Sequence, residues 1–181
     1  ALINADYRIT MTVPLREQIE EFTTKITVIP NGFSFENGAL ANHWKNNRPQ
    51  LDAYKRLGYA SGTPSHDVDF SSIAKPVGQF LNKHADWKLT IVGFLDPAVL
   101  SNACAPERIE YRAATDHVNL AYELARFDLN LIPLESNNVF CESKSPLKWF
   151  ETALCGVPSI ATDNRVYRDC FRGNARINLS L

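Results

Sequence analysis

Short apolar runs rich in β-branched residues recur along the chain, and polar turns separate them. Several runs are apolar at consecutive positions and do not alternate, which is typical of strands buried on both faces of a parallel sheet. The pattern predicts seven strands, at residues 7–12, 26–29, 57–60, 88–92, 108–111, 128–133 and 158–161.

Between these runs, apolar residues return every three or four positions, which is typical of helices with one buried face. This spacing predicts four helices, at residues 15–22, 70–81, 118–125 and 144–155. Pro76 lies inside the second stripe and favours a kink or a late helix start there. In the last helix, Leu147, Phe150 and Leu154 share one face, and Gly156 is suited to end it.

The alternation of strands and helices predicts an α/β domain with a parallel sheet and right-handed crossovers. Residues 37–52 interrupt this alternation, because they are polar, rich in Asn and contain Pro49. We interpret them as a linker or surface excursion. A soft boundary therefore separates the strand–helix–strand pattern of residues 7–29 from the regular pattern that resumes near Tyr54.

Composition excludes several classes of function. The chain has 181 residues, 45% of them apolar, and its 19 basic and 20 acidic residues give a net charge of −1. This balance argues against a strongly basic nucleic-acid binder. No apolar run approaches the roughly 20 residues of a membrane-spanning helix. The chain begins with Ala, without the features of a signal peptide, and is expected to be processed, trimmed or a piece of a longer protein.

Motifs of metal and cofactor chemistry are equally scarce. The four cysteines lack zinc spacing, and we expect reduced, mostly buried thiols in a cytosolic protein. Neither the glycine fingerprint of dinucleotide-binding dehydrogenases nor a P-loop is present. Asp67 and Asp69 could form a metal-binding D-x-D pair. They open a helix, however, where Asp is favoured as a cap, so the sequence favours capping and predicts no metal site.

The loops after the predicted strands are the candidate binding elements, because ligands of open α/β sheets bind at the carboxyl edge. In the loop after the third strand, Gly62 allows a tight turn and close approach of the backbone. Thr63, Ser65 and the helix start at Asp67 offer hydroxyl and N–H groups to an anion, and His66 lies among them. A simple turn is the alternative interpretation.

Two further loops belong to the same edge. The strand at 128–133 leads into the polar residues 135–138, and Lys144 lies at the start of the strongest helix. A cation is disfavoured beside a helix N-terminus, so Lys144 suggests an anionic ligand. Glu151, near the apolar face, needs partners that sugar hydroxyls would supply. The alternatives are an exposed Lys144 and a Glu151–Lys148 pair.

Taken together, these segments resemble the donor-binding half of retaining glycosyltransferases with two Rossmann-like domains, the GT-B fold of the large "group 1" family. The resemblance covers residues 1–163 and rests on the order and spacing of several motifs. They are VIPNGF at 28–33, GYASGT at 58–63, HDVDF at 66–70, KLTIVG at 88–93, KSPLK at 144–148, Glu151, and GVP at 156–158.

The resemblance implies a Rossmann-like sheet flanked by helices at residues 54–181, which would bind a nucleotide-sugar and be truncated at its end. Residues 37–53 would be a linker, and residues 1–36 would end an acceptor-binding domain and cross over from it. Glu151 matches the glutamate that holds the ribose hydroxyls. The family's first glutamate would fall at Ser143, with Glu142 one position away.

The same resemblance assigns the remaining site residues. Lys144 would contact the diphosphate and, with Glu142, serve catalysis. The Arg and Lys that usually follow the glycine loop are absent. The donor-binding residues would be Gly62, Thr63, His66, Asn138, Ser143, Ser145 and Glu151.

The predicted function is sugar transfer, with retention, from a nucleotide-sugar to a glycan, lipid or protein acceptor, as in hexosyltransferases of polysaccharide biosynthesis. The nucleotide-sugar is a substrate, and no cofactor is expected. Nucleic acid is not expected as a partner. The location would be cytoplasmic, with peripheral membrane association through the other domain. The alternative is a non-catalytic nucleotide-binding or scaffold module with a Rossmann-like fold.

Overall fold

The structure is a computed structural model that describes residues 5–23, 25–49 and 52–171. All seven predicted strands are present; the predicted end of the domain, residues 172–181, lies outside the described residues. The elements in chain order are β1 (Arg8–Thr10), α1 (Val13–Glu20), β2 (Ile26–Val28), α2 (Phe35–Asn46), β3 (Lys55–Ser61), α3 (Asp67–Lys83), β4 (Trp87–Gly93), β5 (Ile109–Arg112), α4 (His117–Ala125), β6 (Leu129–Ile132), α5 (Val139–Glu142), α6 (Leu147–Leu154), β7 (Ser159–Ala161) and α7 (Arg165–Phe171).

Five strands form one parallel sheet in the order β5-β4-β3-β6-β7, and β1 and β2 form a separate parallel pair. The predicted α/β class with a Rossmann-like sheet is therefore confirmed. The chain enters at the central β3, proceeds outward to β5 and returns to β6 on the other side. The carboxyl ends of β3 and β6 thus define the switch point, where such sheets bind ligands.

The two pairings of β3 differ in length. Its register with β4 runs from Lys55–Trp87 to Ser61–Gly93, along the whole strand. Its register with β6 covers the pairs Leu57–Leu129 and Gly58–Asn130. The β3–β6 pairing is therefore the shortest in this sheet, followed by the three pairs of β6 with β7.

The helix α3 covers one face of the sheet. Its residues Phe70 and Leu81 are fully buried against Tyr59 and Leu89, as the apolar stripe predicts. The helix begins at Asp67, so the expectation of a late start at Pro76 is wrong. Burial of the apolar residues before the proline stabilises the turns that precede it.

The helices α2, α4 and α6 pack on the opposite face, and α2 corrects the interpretation of residues 37–52. This stretch is helical up to Asn46 because Ser34 caps its start, accepting the Asn37 N–H at 3.1 Å. Trp44 then packs edge to face on Tyr122 of α4, with ring centroids 4.8 Å apart. Tertiary packing outweighs the low helix propensity of the asparagines. The domain boundary itself stays a prediction.

The last predicted helix, residues 144–155, is also corrected. The helix α6 begins at Leu147, so Lys144 precedes it in a loop that follows the short α5. Leu147 and Leu154 are 36% and 37% exposed, so this apolar face is not in the core. The end of the helix is as predicted, since Gly156 adopts a left-handed φ of 74°.

A network of ion pairs fills the space between the sheet and α4, and the sequence analysis did not foresee it. Arg126 contacts Glu110 at 2.5 Å and Glu123 at 2.8 Å. Arg56 contacts Glu110 at 3.2 Å, and Arg112 contacts Glu123 at 2.6 Å. Burial raises the pKa of both glutamates, but the arginines outweigh it and hold each pKa below its ordinary value.

The remaining expectations concern thiols and membranes. Cys104, Cys141 and Cys155 are buried free thiols, and Cys170 is a partly buried one, in agreement with the prediction. Within residues 5–23, 25–49 and 52–171, no helix combines the length and the apolar character needed to cross a membrane.

Candidate functional site

A cleft of about 770 Å³ lies at the carboxyl ends of β3 and β6, at the switch point of the sheet. Three of the predicted donor-binding elements meet there: the loop after β3, the loop after β6 and the start of α6. The structure brings six predicted site residues together along its walls: Thr63, His66, Asn138, Lys144, Ser145 and Glu151. Gly62, Glu142 and Ser143 are not among the lining residues.

A buried carboxylate, Asp69, forms the floor of the cleft and joins its walls. One of its oxygens accepts the Nδ1–H of His66 at 2.8 Å and the Nζ–H of Lys144 at 3.2 Å. The other accepts the backbone N–H of Glu135 at 2.8 Å. Burial raises the pKa of Asp69, but these donors outweigh it and set the pKa below its ordinary value. Asp69 is therefore ionised and neutralises Lys144.

This role differs from the expected helix cap. Asp69 points into the cleft, whereas the carboxylate of Asp67 accepts the backbone N–H of Asp96 at 3.2 Å. The two aspartates thus serve different partners. Among the described residues, no group of three or more His, Cys, Asp or Glu side chains is arranged to hold a metal ion.

Glu151 and Lys148 form the wall that α6 contributes. Within the described part of the chain, the Glu151 carboxylate takes part in no hydrogen bond or ion pair within 4 Å, and burial raises its pKa. The Glu151–Lys148 ion pair, the alternative interpretation of Glu151, is not formed within 4 Å. The Lys148 ammonium instead lies over the ring of Tyr59, 5.0 Å from its centroid. Both side chains therefore face the cleft with unused hydrogen-bonding capacity.

The segment before β3 supplies the opposite wall. The Nδ2–H of Asn31 donates to the Ser145 hydroxyl at 2.8 Å, and Met11 also lines the cleft. The Thr12 hydroxyl donates to the backbone oxygen of Ser143 at 2.8 Å. These bonds attach the β1–β2 region to the loop that carries Lys144.

Several predicted residues have structural roles that the sequence did not reveal. Asn138 caps α5, accepting the Phe140 N–H at 3.0 Å, although it also lines the cleft. Ser143 is buried and donates to the backbone oxygen of Val139. Glu142, on the same short helix, is not brought into the cleft.

Gly62 lies in the loop after β3 with an ordinary φ, so its turn does not require glycine. A Cβ atom placed on it would meet no atom within 4 Å. The space beside this backbone is therefore open, and neither backbone conformation nor packing requires a glycine here.

Sequence reasoning missed Asp69 and Lys148 as site residues. The signal for Asp69 was present in the D-x-D pair, whose second member was interpreted as a cap. Lys148 was considered only as a partner of Glu151. Its position one turn after Lys144, at the start of an amphipathic helix, was the available signal.

No family model and no curated protein matches the chain, but solved structures do. Sucrose-phosphate synthase from Thermosynechococcus elongatus matches with a TM-score of 0.63 and 18% identity, over 90% of this chain and 42% of that one. WaaG, a glycosyltransferase involved in lipopolysaccharide biosynthesis, gives 0.62 and 13%, over 92% and 46%. The pneumococcal O-GlcNAc transferase GtfA, in complex with UDP and GlcNAc, gives 0.56 and 17%, over 88% and 30%.

These matches define the fold of the chain as that of GT-B glycosyltransferases. The resemblance expected from the motifs is thereby confirmed at the level of the fold. The chain spans less than half the length of each of these three neighbours.

Proposed function

We propose that the chain is the donor-binding half of a glycosyltransferase that uses a nucleotide-sugar. The observation that carries this proposal is the cleft at the switch point, where Lys144, Lys148 and Glu151 face one space. Cations and a free carboxylate in one cleft suit a ligand that has both phosphates and hydroxyl groups. Such a ligand fits better than a purely apolar or purely cationic one.

Glu151 is assigned to the ribose in this proposal. Its carboxylate is half-buried without a donor, which costs free energy in the empty protein. Two neighbouring hydroxyls can each donate one hydrogen bond to such a carboxylate. Bound ribose would therefore supply what the protein leaves unsatisfied.

The diphosphate is assigned to the opposite end of the same wall. Cleavage of the anomeric bond leaves negative charge on the phosphate, and preorganised donors stabilise it. Lys144, the Thr63 loop and the start of α6, whose first turn holds no acidic residue, can act in this way. Glu142 is not carried into the proposal, because it does not line the cleft.

The proposal also covers the stereochemistry of transfer, the sugar, the acceptor and the location of the whole enzyme. Retention of configuration, a hexose as the sugar, and a glycan, lipid or protein acceptor are the expectations from the family resemblance. A cytoplasmic location and peripheral membrane association through an acceptor-binding domain belong to the same set. GtfA was solved with UDP and GlcNAc, so UDP and UDP-GlcNAc are the first ligands to test.

Titration calorimetry against UDP, GDP, ADP, CDP and dTDP tests the proposal. We expect one of these nucleoside diphosphates to bind with one-to-one stoichiometry. If none binds to the folded chain, the non-catalytic scaffold becomes the better interpretation and the donor-binding proposal fails.

Replacement of Glu151 by Gln is expected to weaken binding of the nucleoside diphosphate by about 1–3 kcal/mol, the range for lost hydrogen bonds to a charged group. The same change should increase stability at neutral pH. The pKa of Glu151 is raised, so its ionisation costs free energy as pH rises above the unfolded value. Calorimetry and urea unfolding measure the two effects.

The control for Glu151 is Glu107→Gln, an exposed carboxylate far from the cleft along the chain. It should leave both affinity and stability unchanged. Unchanged affinity in Glu151→Gln, with an intact fold, would contradict the ribose assignment.

Replacement of Gly62 by Ala is expected to leave stability within about 0.5 kcal/mol, as for substitutions without steric conflict. Gly62 does not itself line the cleft but precedes Thr63, which does; because the family resemblance makes this loop face the diphosphate, the added methyl group should lower affinity for the nucleoside diphosphate at least fivefold. Affinity for the matching nucleoside should change little. Equal losses of affinity for the nucleoside diphosphate and the nucleoside would show that the phosphates do not bind beside the Gly62 loop.

A further inference from the structure

Lys144, in the loop before α6, and Lys148, in the first turn of α6, differ in their electrostatic environment. Lys144 lies 3.2 Å from the carboxylate of Asp69, so its charge is already balanced. Lys148, one turn further, has no carboxylate within 4 Å and no hydrogen bond from its ammonium within the described ranges. Of the two cations, Lys148 therefore has the larger unsatisfied charge.

The partly buried position of Lys148 makes its lack of a carboxylate partner energetically unfavourable. Its side chain is partly buried, and its ammonium lies over the ring of Tyr59, which is itself fully buried. Burial lowers the pKa of Lys148 to about 8. An ammonium withdrawn from water without a counter-ion is unfavourable, and a bound anion removes that cost.

Four titratable or charged groups surround this ammonium. Asp69 faces it from α3, Tyr59 from β3, Lys144 from the loop before α6, and Glu151 from the next turn of α6. Asp69 accepts hydrogen bonds from His66 and Lys144, whereas Lys148 donates none to it within the described residues. With both carboxylates ionised, Lys144 and Lys148 balance Asp69 and Glu151, and of the two lysines it is Lys148 that has no carboxylate within 4 Å.

The start of α6 adds positive electrostatic potential to the same wall of the cleft. The helix has eight residues, no acidic side chain in its first turn and no side-chain cap on its free N–H groups. Its positive end and the Lys148 ammonium lie on one wall of the cleft. An anion of two or three charges placed there would satisfy both.

We propose that Lys148 is the principal cationic ligand of the diphosphate in this cleft, and that Lys144 is a positioning residue held by Asp69. This inference rests on the proposed function, since it presumes that a nucleoside diphosphate binds here. The sequence motif, by contrast, assigns the diphosphate contact to Lys144.

The test compares Lys148→Met, Lys144→Met and the wild-type chain in calorimetry with UDP and with uridine. The pairs GDP with guanosine and ADP with adenosine are measured in parallel. Lys148→Met should lose tenfold or more in affinity for the diphosphate and keep its affinity for the nucleoside. Lys144→Met should lose threefold or less. A larger loss in Lys144→Met, or an unchanged Lys148→Met, overturns the proposal.

A pH series supplies a second readout. Diphosphate affinity of the wild-type chain should decrease as pH rises above about 8, because free Lys148 then loses its proton. Lys148→Arg stays charged and should retain its affinity up to pH 9.5, whereas Lys144→Met should still show the decrease. A wild-type profile that is flat between pH 7 and 9.5 contradicts the role of Lys148.

The outcomes distinguish failure of the proposed function from failure of the role proposed for Lys148. If the wild-type chain binds none of the diphosphates, both the proposed function and this inference fail. If it binds one and Lys148→Met binds it equally well, only this inference fails. Loss of the fold is excluded by urea unfolding, where Lys148→Met should have a higher midpoint than the wild type.

Discussion

Replacement of Asp69 by Ala is expected to lower the free energy of unfolding by about 2–4 kcal/mol, the range for removing one partner of a buried charged group. Asp69 is 4% exposed and accepts hydrogen bonds from His66, Lys144 and the Glu135 N–H. Removal of the carboxylate leaves these donors, and the Cys141 thiol that also contacts Asp69 at 3.6 Å, without their partner. Nucleoside diphosphate binding should be lost with it, because the same bonds fix the walls of the cleft.

Urea unfolding as a function of pH measures this effect. The pKa of Asp69 is lowered in the folded chain, so its contribution is complete above the unfolded value near 3.8 and is lost as pH falls through the folded value. The curves of wild type and Asp69→Ala should therefore converge in acid. Asp67→Ala, which removes one exposed hydrogen bond, is the control and should cost less than about 1 kcal/mol. Equal losses in the two variants would refute the central role of Asp69.

Arg126→Met is expected to have the larger effect, a loss of about 3–5 kcal/mol, since it breaks a buried ion-pair network by removing one member. The Arg126 side chain is 3% exposed and bridges Glu110 and Glu123. Without it, the two carboxylates between the sheet and α4 retain Arg56, Arg112 and the Thr90 hydroxyl as partners. Thermal or urea unfolding at pH 7 measures the loss.

A surface ion pair provides the matched control for Arg126. Lys55 and Asp86 are 3.1 Å apart but 56% and 54% exposed, so Lys55→Met should cost less than about 1 kcal/mol. The difference between wild type and Arg126→Met should shrink as pH falls, because the pKa values of Glu110 and Glu123 are lowered only while the arginines are present. A loss of stability that does not depend on pH would indicate that Arg126 stabilises the fold through packing and not through its charge.

The fold was predictable because its main signal is local. Consecutive apolar residues in 57–60 and 88–92 marked buried parallel strands without knowledge of their neighbours. The helix α2 was missed because its stability depends on a distant contact, that of Trp44 with Tyr122. No pattern within 37–52 contains that information.

The site was predictable in its location but not in its charge balance. The order of the loops placed Thr63, His66, Lys144 and Glu151 at one edge of a sheet, and the structure brings them to one cleft. Which lysine is neutralised depends on Asp69, which lies 75 residues before Lys144. Such a pairing is set by the tertiary fold, and spacing along the chain does not encode it.

The short pairing between β3 and β6, which covers two residue pairs, has a consequence for the way the domain opens. Proteins open in cooperative units whose free energies differ, and we expect the two-pair boundary between β3 and β6 to separate one unit from the next. The cleft lies across this boundary, with Thr63 on the β3 side and Lys148 on the β6 side. A ligand held by both sides would raise the free energy of this sub-global opening and leave that of the β3–β4 unit unchanged. Occupancy of the site and opening of the sheet between β3 and β6 are then thermodynamically coupled.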